Sequence, residues 1–186
     1  MTPSGTVEGD ERLRLFLGFQ LPAAAAGALV DWERSELEAP GVRLVPEQNL
    51  HITIAFLGSR PTAEVVPIAD ALRAAADGVG QPVVGPVRYR ETRSVGMLVL
   101  DDEGGRATQI AEGVHRRLEQ LGVYEPERRA WLPHATVIRF RERPRLSPSL
   151  PDLGSVTLSD AAVYMSRLRP TGAQYEVVES VPLGGG

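Results

Sequence analysis

His51-Ile52-Thr53-Ile54 and His134-Ala135-Thr136-Val137 repeat one pattern of histidine, spacer, threonine and apolar residue. Each sits inside an apolar run that reads as a strand. Side chains alternate across a strand, so each histidine shares a face with its threonine while the apolar neighbours point the other way. Each element thus offers an imidazole and a hydroxyl to an open face and anchors itself by the opposite one. Two such strands set against each other make a metal-free acid–base site in which one imidazole withdraws a proton and the other supplies one. A lone His-x-Thr on a half-buried strand is ordinarily just a polar-face histidine. Two in matching contexts, far apart in a chain with only 3 histidines, point instead to an internal duplication with one motif per half. The third, His115, lies beside Arg116 and Arg117, with Val114 and Leu118 on an apolar helical stripe. It reads as a partly exposed helical residue with no metal-ligand partner at the usual spacing.

Composition narrows the chemistry further. The 186 residues suit one domain or two small lobes sharing a site, and no apolar stretch or signal-like start points to a membrane. Polar, Gly-rich residues 1–11 read as a disordered lead-in, residues 12–183 as a single bilobal domain, and Gly184-Gly185-Gly186 as a tail. There is no cysteine, which excludes disulfides and thiolate metal sites and fits a reducing cytoplasm, the expected location. None of the 20 basic side chains is a lysine, so a lysyl-nucleotide intermediate is excluded as well. A net charge of −4 argues against wrapping long nucleic acid and favours a small phosphorylated end. No cofactor and no metal are expected, and the chain is expected to work as a monomer.

The elements that must position these residues alternate between strand and helix. Leu13 to Gln20 reads as a strand, Ala23 to Glu38 as a helix stopped by Pro40-Gly41, and Val42 to Val45 as a short strand. A turn over Pro46 to Asn49 leads into the first motif strand, Leu50 to Leu57. Thr62 is the expected N-cap of a helix running to Asp77, with Pro67 in its first turns. A hairpin of Val83 to Thr92 and Val95 to Leu100 follows, then a helix from Gly105 to Leu121 and the second motif strand, Trp131 to Phe140. Ser155 to Leu168 and Tyr175 to Leu183 form a closing pair of strands around Pro170-Thr171-Gly172. The layout predicts an α+β fold of mostly antiparallel sheet with outer helices. Phe16, Trp32 and Trp131 are read as packing residues, and Arg141, Arg143 and Arg145 as a solvated basic loop.

Several segments carry a family resemblance. Arg14 to Pro22 resembles the opening strand of bacterial RNA 2′,3′-cyclic phosphodiesterases, also called 2′-5′ RNA ligases, of the two-histidine phosphoesterase superfamily. VPEQNLHITIAFLG (Val45 to Gly58) resembles that family's first motif and WLPHATVIRF (Trp131 to Phe140) its second. YMSRLRPTGAQYEVV (Tyr164 to Val178) resembles its C-terminal signature, and the match spans Arg12 to Leu183. Ala173, where relatives often carry proline, is a departure that touches a turn.

The resemblance implies two pseudo-symmetric lobes around a central groove, each giving one His-x-Thr strand. It implies that a 2′,3′-cyclic phosphate is opened to a 2′-phosphate by in-line attack of water. His134 would activate the water and His51 protonate the departing ribose oxygen, with Thr53 and Thr136 donating to the phosphate oxygens. Arg139 matches an arginine that contacts phosphate in relatives. Strict alternation, however, puts it on the face opposite His134 and Thr136, so it reaches the groove only if the strand twists, bulges or ends nearby. An ATP-independent reverse reaction forming 2′-5′ linkages is an implied side activity. The alternatives are a phosphodiesterase for another cyclic phosphate or for 2′-5′ oligonucleotides, and a non-catalytic module that binds RNA ends.

Overall fold

The computed structural model describes residues 11–184, so most of the expected lead-in and tail lies outside the described residues. Nine strands pair antiparallel in one continuous sheet among those residues. The chain runs β1 (Arg12–Gln20), α1 (Ala23–Trp32, continued by a π-helical turn Glu33–Leu37), β2 (Val42–Leu44), β3 (His51–Pro61) and α2 (Val65–Ala76). Then follow β4 (Val83–Glu91), β5 (Val95–Glu103), α3 (Arg106–Gln120), β6 (His134–Phe140), β7 (Val156–Thr157), β8 (Asp160–Arg169) and β9 (Gly172–Pro182). No helix among the described residues is long and apolar enough to cross a membrane.

Strand order is pseudo-symmetric. Reading across the sheet, β9-β8-β1-β3 meets β6-β5-β4-β7, and β2 adds to the remaining edge of β6. Each half has four strands in this order, with a motif strand innermost, as the expected pseudo-symmetric α+β lobes require. The two motif strands touch through a single ladder pair, Ile52 opposite Ala135, and then diverge. That divergence opens the groove. Beneath it, Ile52, Ile54, Ala135 and Val137 are buried, in a core that includes Leu15, Leu17 and Phe19 of β1 and the inner faces of all three helices.

Some boundaries differ from those expected. Thr62 does not cap α2: its N–H donates to Glu11 O at 3.0 Å as part of the strand edge, and a 3-10 turn over Thr62–Glu64 precedes the helix. Pro67 falls in the first turn of α2, where a missing N–H has no helical partner to lose. The second motif strand begins at His134 because Pro133 can donate nothing to a ladder, and its carbonyl accepts instead from Leu100 N at 2.9 Å. The span from Ser155 splits in two, since β7 pairs with β4 in one half and β8 with β1 and β9 in the other. Glu91 pins the basic loop after β6. Its buried carboxylate accepts from Arg143 Nε, Arg145 N and Leu146 N at 2.7–3.0 Å, which anchors the loop while the Arg143 and Arg145 side chains stay solvent-exposed as expected.

Candidate active site

The Ile52–Ala135 pair acts as a local dyad. Continuing the antiparallel register by one residue each way sets His51 across from Thr136, and Thr53 across from His134. Ile52 and Ala135 are buried beneath, so all four polar side chains share the groove face. The groove has a volume of about 830 Å³ and is lined by His51, Thr53, Thr136 and Arg139, with His134 beside that lining on β6.

The two imidazoles are held alike. His51 Nδ1 lies 2.8 Å from Asn49 O, and His134 Nδ1 lies 2.8 Å from Leu132 O. A carbonyl can only accept, so each Nδ1 carries the hydrogen and each Nε2 is left for chemistry. Thr53 Oγ1 lies 2.9 Å from His51 Nε2 and donates to that lone pair in the neutral ring. Asn49 also donates from Nδ2 to Ala173 O at 2.8 Å. The unusual residue type at 173 is thus immaterial to this bond, which uses its backbone.

Their surroundings differ. His51 packs against Phe16 at 4.8 Å, Tyr175 at 5.4 Å and Tyr164 at 5.7 Å between ring centroids, with only an edge of its own ring reaching the groove. Gly18 makes this possible, because a Cβ there would lie 3.2 Å from the His51 ring. Burial pushes the His51 pKa down to about 4; the Asn49 carbonyl opposes this, and the positive fields of His134 and Arg139 add to it. Phe16 is a core aromatic as expected, with a second task as the wall behind an imidazole.

Arg139 reaches the groove through a bulge. Gly96 pairs with Ile138 and Met97 with Thr136, so Val137 is an extra residue on β6 and the alternation resets after it. The burial pattern follows the reset: Val137 and Ile138 are both buried, while Arg139 is exposed on the face of Thr136. β3 does the same, since Leu17 pairs with Ala55 and Gly18 with Thr53, leaving Ile54 extra. Phe56, five residues after His51 as Arg139 is after His134, thereby turns to the groove and is 68% exposed.

Phe56 had a signal in the sequence, namely that shared spacing, but only the paired bulges give it meaning. Asn49 of the first motif and Tyr175 of the C-terminal signature also line the groove, as does Arg43, which no motif flags. Trp131 packs as expected and also donates from Nε1 to Thr53 O at 3.0 Å, tying the approach to β6 onto β3. His115 is partly exposed and stays outside the site. Its Nε2 lies 2.8 Å from Ile54 O, the carbonyl at the β3 bulge, and its ring stacks on Tyr124. Among the described residues no three His, Cys, Asp or Glu side chains cluster as a metal site.

Known proteins share both the sequence and the fold. A family profile described as LigT like Phosphoesterase matches residues 21–83, which include the first motif. A Thermus thermophilus protein named RNA 2′,3′-cyclic phosphodiesterase is 29% identical, with 93% of this chain and 91% of that protein covered. One of the same name from Methanocaldococcus jannaschii is 24% identical over 90% of this chain and 99% of its own length. A crystal structure of a Thermus thermophilus protein superposes with a TM-score of 0.75 at 27% identity, covering 92% of this chain and 98% of that one. Escherichia coli LigT complexed with 3′-AMP shares the fold, with a TM-score of 0.73 at 21% identity over 94% of this chain and 100% of the other. The chain is thus similar to the LigT-like phosphoesterases in sequence over residues 21–83 and shares the LigT fold over most of its length.

Proposed function

We propose that this chain hydrolyses the terminal 2′,3′-cyclic phosphate of RNA to a 2′-phosphate, using His51 and His134 as a metal-free acid–base pair. The observation that carries the reading is the matched pair of imidazoles, each with Nδ1 bound to a backbone carbonyl and Nε2 left for the groove. The names of the full-length relatives point the same way.

In the step proposed, water attacks phosphorus in line with the 3′ oxygen. His134 takes a proton from the water as the phosphorus–oxygen bond forms. The bond to the 3′ oxygen breaks, and His51 gives that oxygen its proton, leaving a 3′ hydroxyl and a 2′-phosphate. Thr53 and Thr136 donate to the non-bridging oxygens, where charge builds, and Arg139 supplies a cation beside them. Thr53 must first turn from His51 Nε2 toward the phosphate. Phe56 offers an exposed ring on which the terminal base stacks. The reverse of the same step, attack by a 5′ hydroxyl, would form a 2′-5′ linkage without ATP.

Burial of His51 favours a second reading in which the roles are exchanged. A ring neutral down to about pH 4 is already in the state a base requires, which leaves the role of acid to His134. A cyclic phosphate with sulfur at the 3′ bridging position separates the two, since sulfur departs without a proton. It should rescue alanine replacement of the acid only, and so rescue His51→Ala on the first reading and His134→Ala on the second.

The hydrolase reading itself is tested by phosphorus NMR of a 2′,3′-cyclic mononucleotide and a cyclic-phosphate-ended oligonucleotide incubated with chelator-treated protein. A 2′-phosphate product is expected, unaffected by ATP. A 3′-phosphate would point to another subfamily chemistry, and revival only by a divalent ion would overturn the metal-free step. Binding without turnover would leave an RNA-end-binding module, and turnover confined to other cyclic phosphates or to 2′-5′ oligonucleotides would move the substrate class.

A further inference from the structure

Arg43 on β2 and Arg139 on β6 are direct cross-strand partners. Side chains at opposed positions leave the same face with their Cβ atoms about 5 Å apart, and like charges set so cost stability. Both arginines line the groove, and Arg14 of β1 joins them. Among the described residues no carboxylate lies within ion-pair distance of any of the three. None of the groove's described lining is acidic, although the chain as a whole carries a net charge of −4. Positive charge has been concentrated here against the overall balance.

Arg43 is also held in place. Its Nη2 donates to Thr171 O at 2.8 Å, which lays the guanidinium across the turn between β8 and β9. Gly172 leaves the room, since a Cβ there would come within 2.7 Å of Arg43 Nη2. This contact uses one corner of the fork and leaves the Nε and Nη1 hydrogens for another acceptor. A fixed, unneutralised guanidinium one strand spacing (about 4.8 Å) beyond Arg139 matches a second anion better than the single phosphate that His51, Thr53, His134 and Thr136 surround.

We propose that Arg43, together with Arg139, forms a subsite for a second phosphate of the substrate. The preferred substrate is then an oligonucleotide end with an internucleotide phosphodiester, and a cyclic mononucleotide is the poorer one. This rests on the hydrolase reading above and deepens it.

The test compares kcat/KM for three ligands: a cyclic mononucleotide, a cyclic-phosphate-ended dinucleotide, and that dinucleotide with an uncharged methylphosphonate linkage. The native protein should favour the charged dinucleotide over the uncharged one by about tenfold or more, the range of a charge-assisted hydrogen bond. In Arg43→Gln that ratio should fall toward one. The log–log salt dependence should be steeper for the charged dinucleotide by about 0.7, the increment for one more phosphate on a single strand, and the variant should lose that increment. Equal rates of the native protein on the charged and uncharged dinucleotides would overturn the subsite. So would a variant slowed alike on both, which is the mark of a strap on the hairpin alone. If the native protein turns over no cyclic phosphate, the hydrolase reading has failed. Equilibrium binding of the two dinucleotides then decides the subsite, with the same tenfold preference required.

Discussion

Two imidazoles with identical backbone tethers and unlike surroundings dominate the groove at the scale of the residue. His51→Ala and His134→Ala should each cost about 10²–10⁴-fold in kcat with the fold intact, because each removes one proton-transfer partner from an open face. The double variant should lose little more than the worse single, as groups acting in one step are not additive. Stopped turnover assays with circular dichroism alongside check both points, and full activity in either single would sink the mechanism. Turnover should also be bell-shaped in pH, with limbs that belong to the pair rather than to either ring. The free protein should show His51 protonating near pH 4 by NMR, well below the ordinary 6.5. Between those values the unfolded chain binds more protons than the folded one, so this group subtracts stability as pH falls from 6.5 toward 4.

Bulges, caps and helical turns carry the next level, and here the sequence was only partly legible. The motif strands, the β4–β5 hairpin and the helix ending before Gly122 follow from periodicity and stop signals, with ends displaced by a few residues. The face of Arg139 did not follow, because a two-residue period has no term for an inserted residue and nothing in Val137 announces one. Gly96 holds the physical trace of it. A Cβ at that position would overlap Tyr89 Oη and the Ile138 side chain just where β5 meets the bulge. Gly96→Ala should therefore shift β6, cost about 1–3 kcal/mol by overpacking, and lower activity through Arg139; chemical denaturation and kinetics read the two effects.

Glu33, at the start of the π-helical turn, is a second element-scale case, buried with its Oε1 unpartnered among the described residues. Burial raises its pKa from 4.5 to about 8, against a smaller opposing pull from Arg34. The folded state then holds a proton that the unfolded state has lost, so its contribution is fullest below pH 4.5 and disappears as pH rises to about 8. Glu33→Gln should flatten that fall, gaining up to about 1.4 kcal/mol of stability for each pH unit of the window. Equal slopes in the two proteins across that window would refute the assignment.

Across the whole molecule, the repeated tetrapeptide foretold the architecture: one motif per half, innermost in each set of four strands. It could not foretell that the halves meet at one residue pair, since long-range register leaves no local pattern. Arg43 was invisible for the same reason, its meaning coming from a partner far along the chain.

That single-pair junction has a further consequence. A dyad through Ile52 and Ala135 makes the four polar groups of the motifs a palindrome: turned by half a rotation, each histidine falls on the other and each threonine on the other. Such a centre cannot by itself tell the 2′ oxygen from the 3′ oxygen, or the head of a strand from its tail. The two-fold symmetry also breaks further out, where the position two residues past each bulge holds an aromatic ring in one half and a guanidinium in the other, Phe56 against Arg139. This outer pair is one place, beside the aromatic packing behind His51, where direction of reading can reside. Phe56→Arg, which makes the two halves alike at this position, should erode the single regiochemical outcome into a mixture of 2′- and 3′-phosphates, countable by phosphorus NMR. An unmixed product from that variant would place the sense of direction elsewhere along the groove.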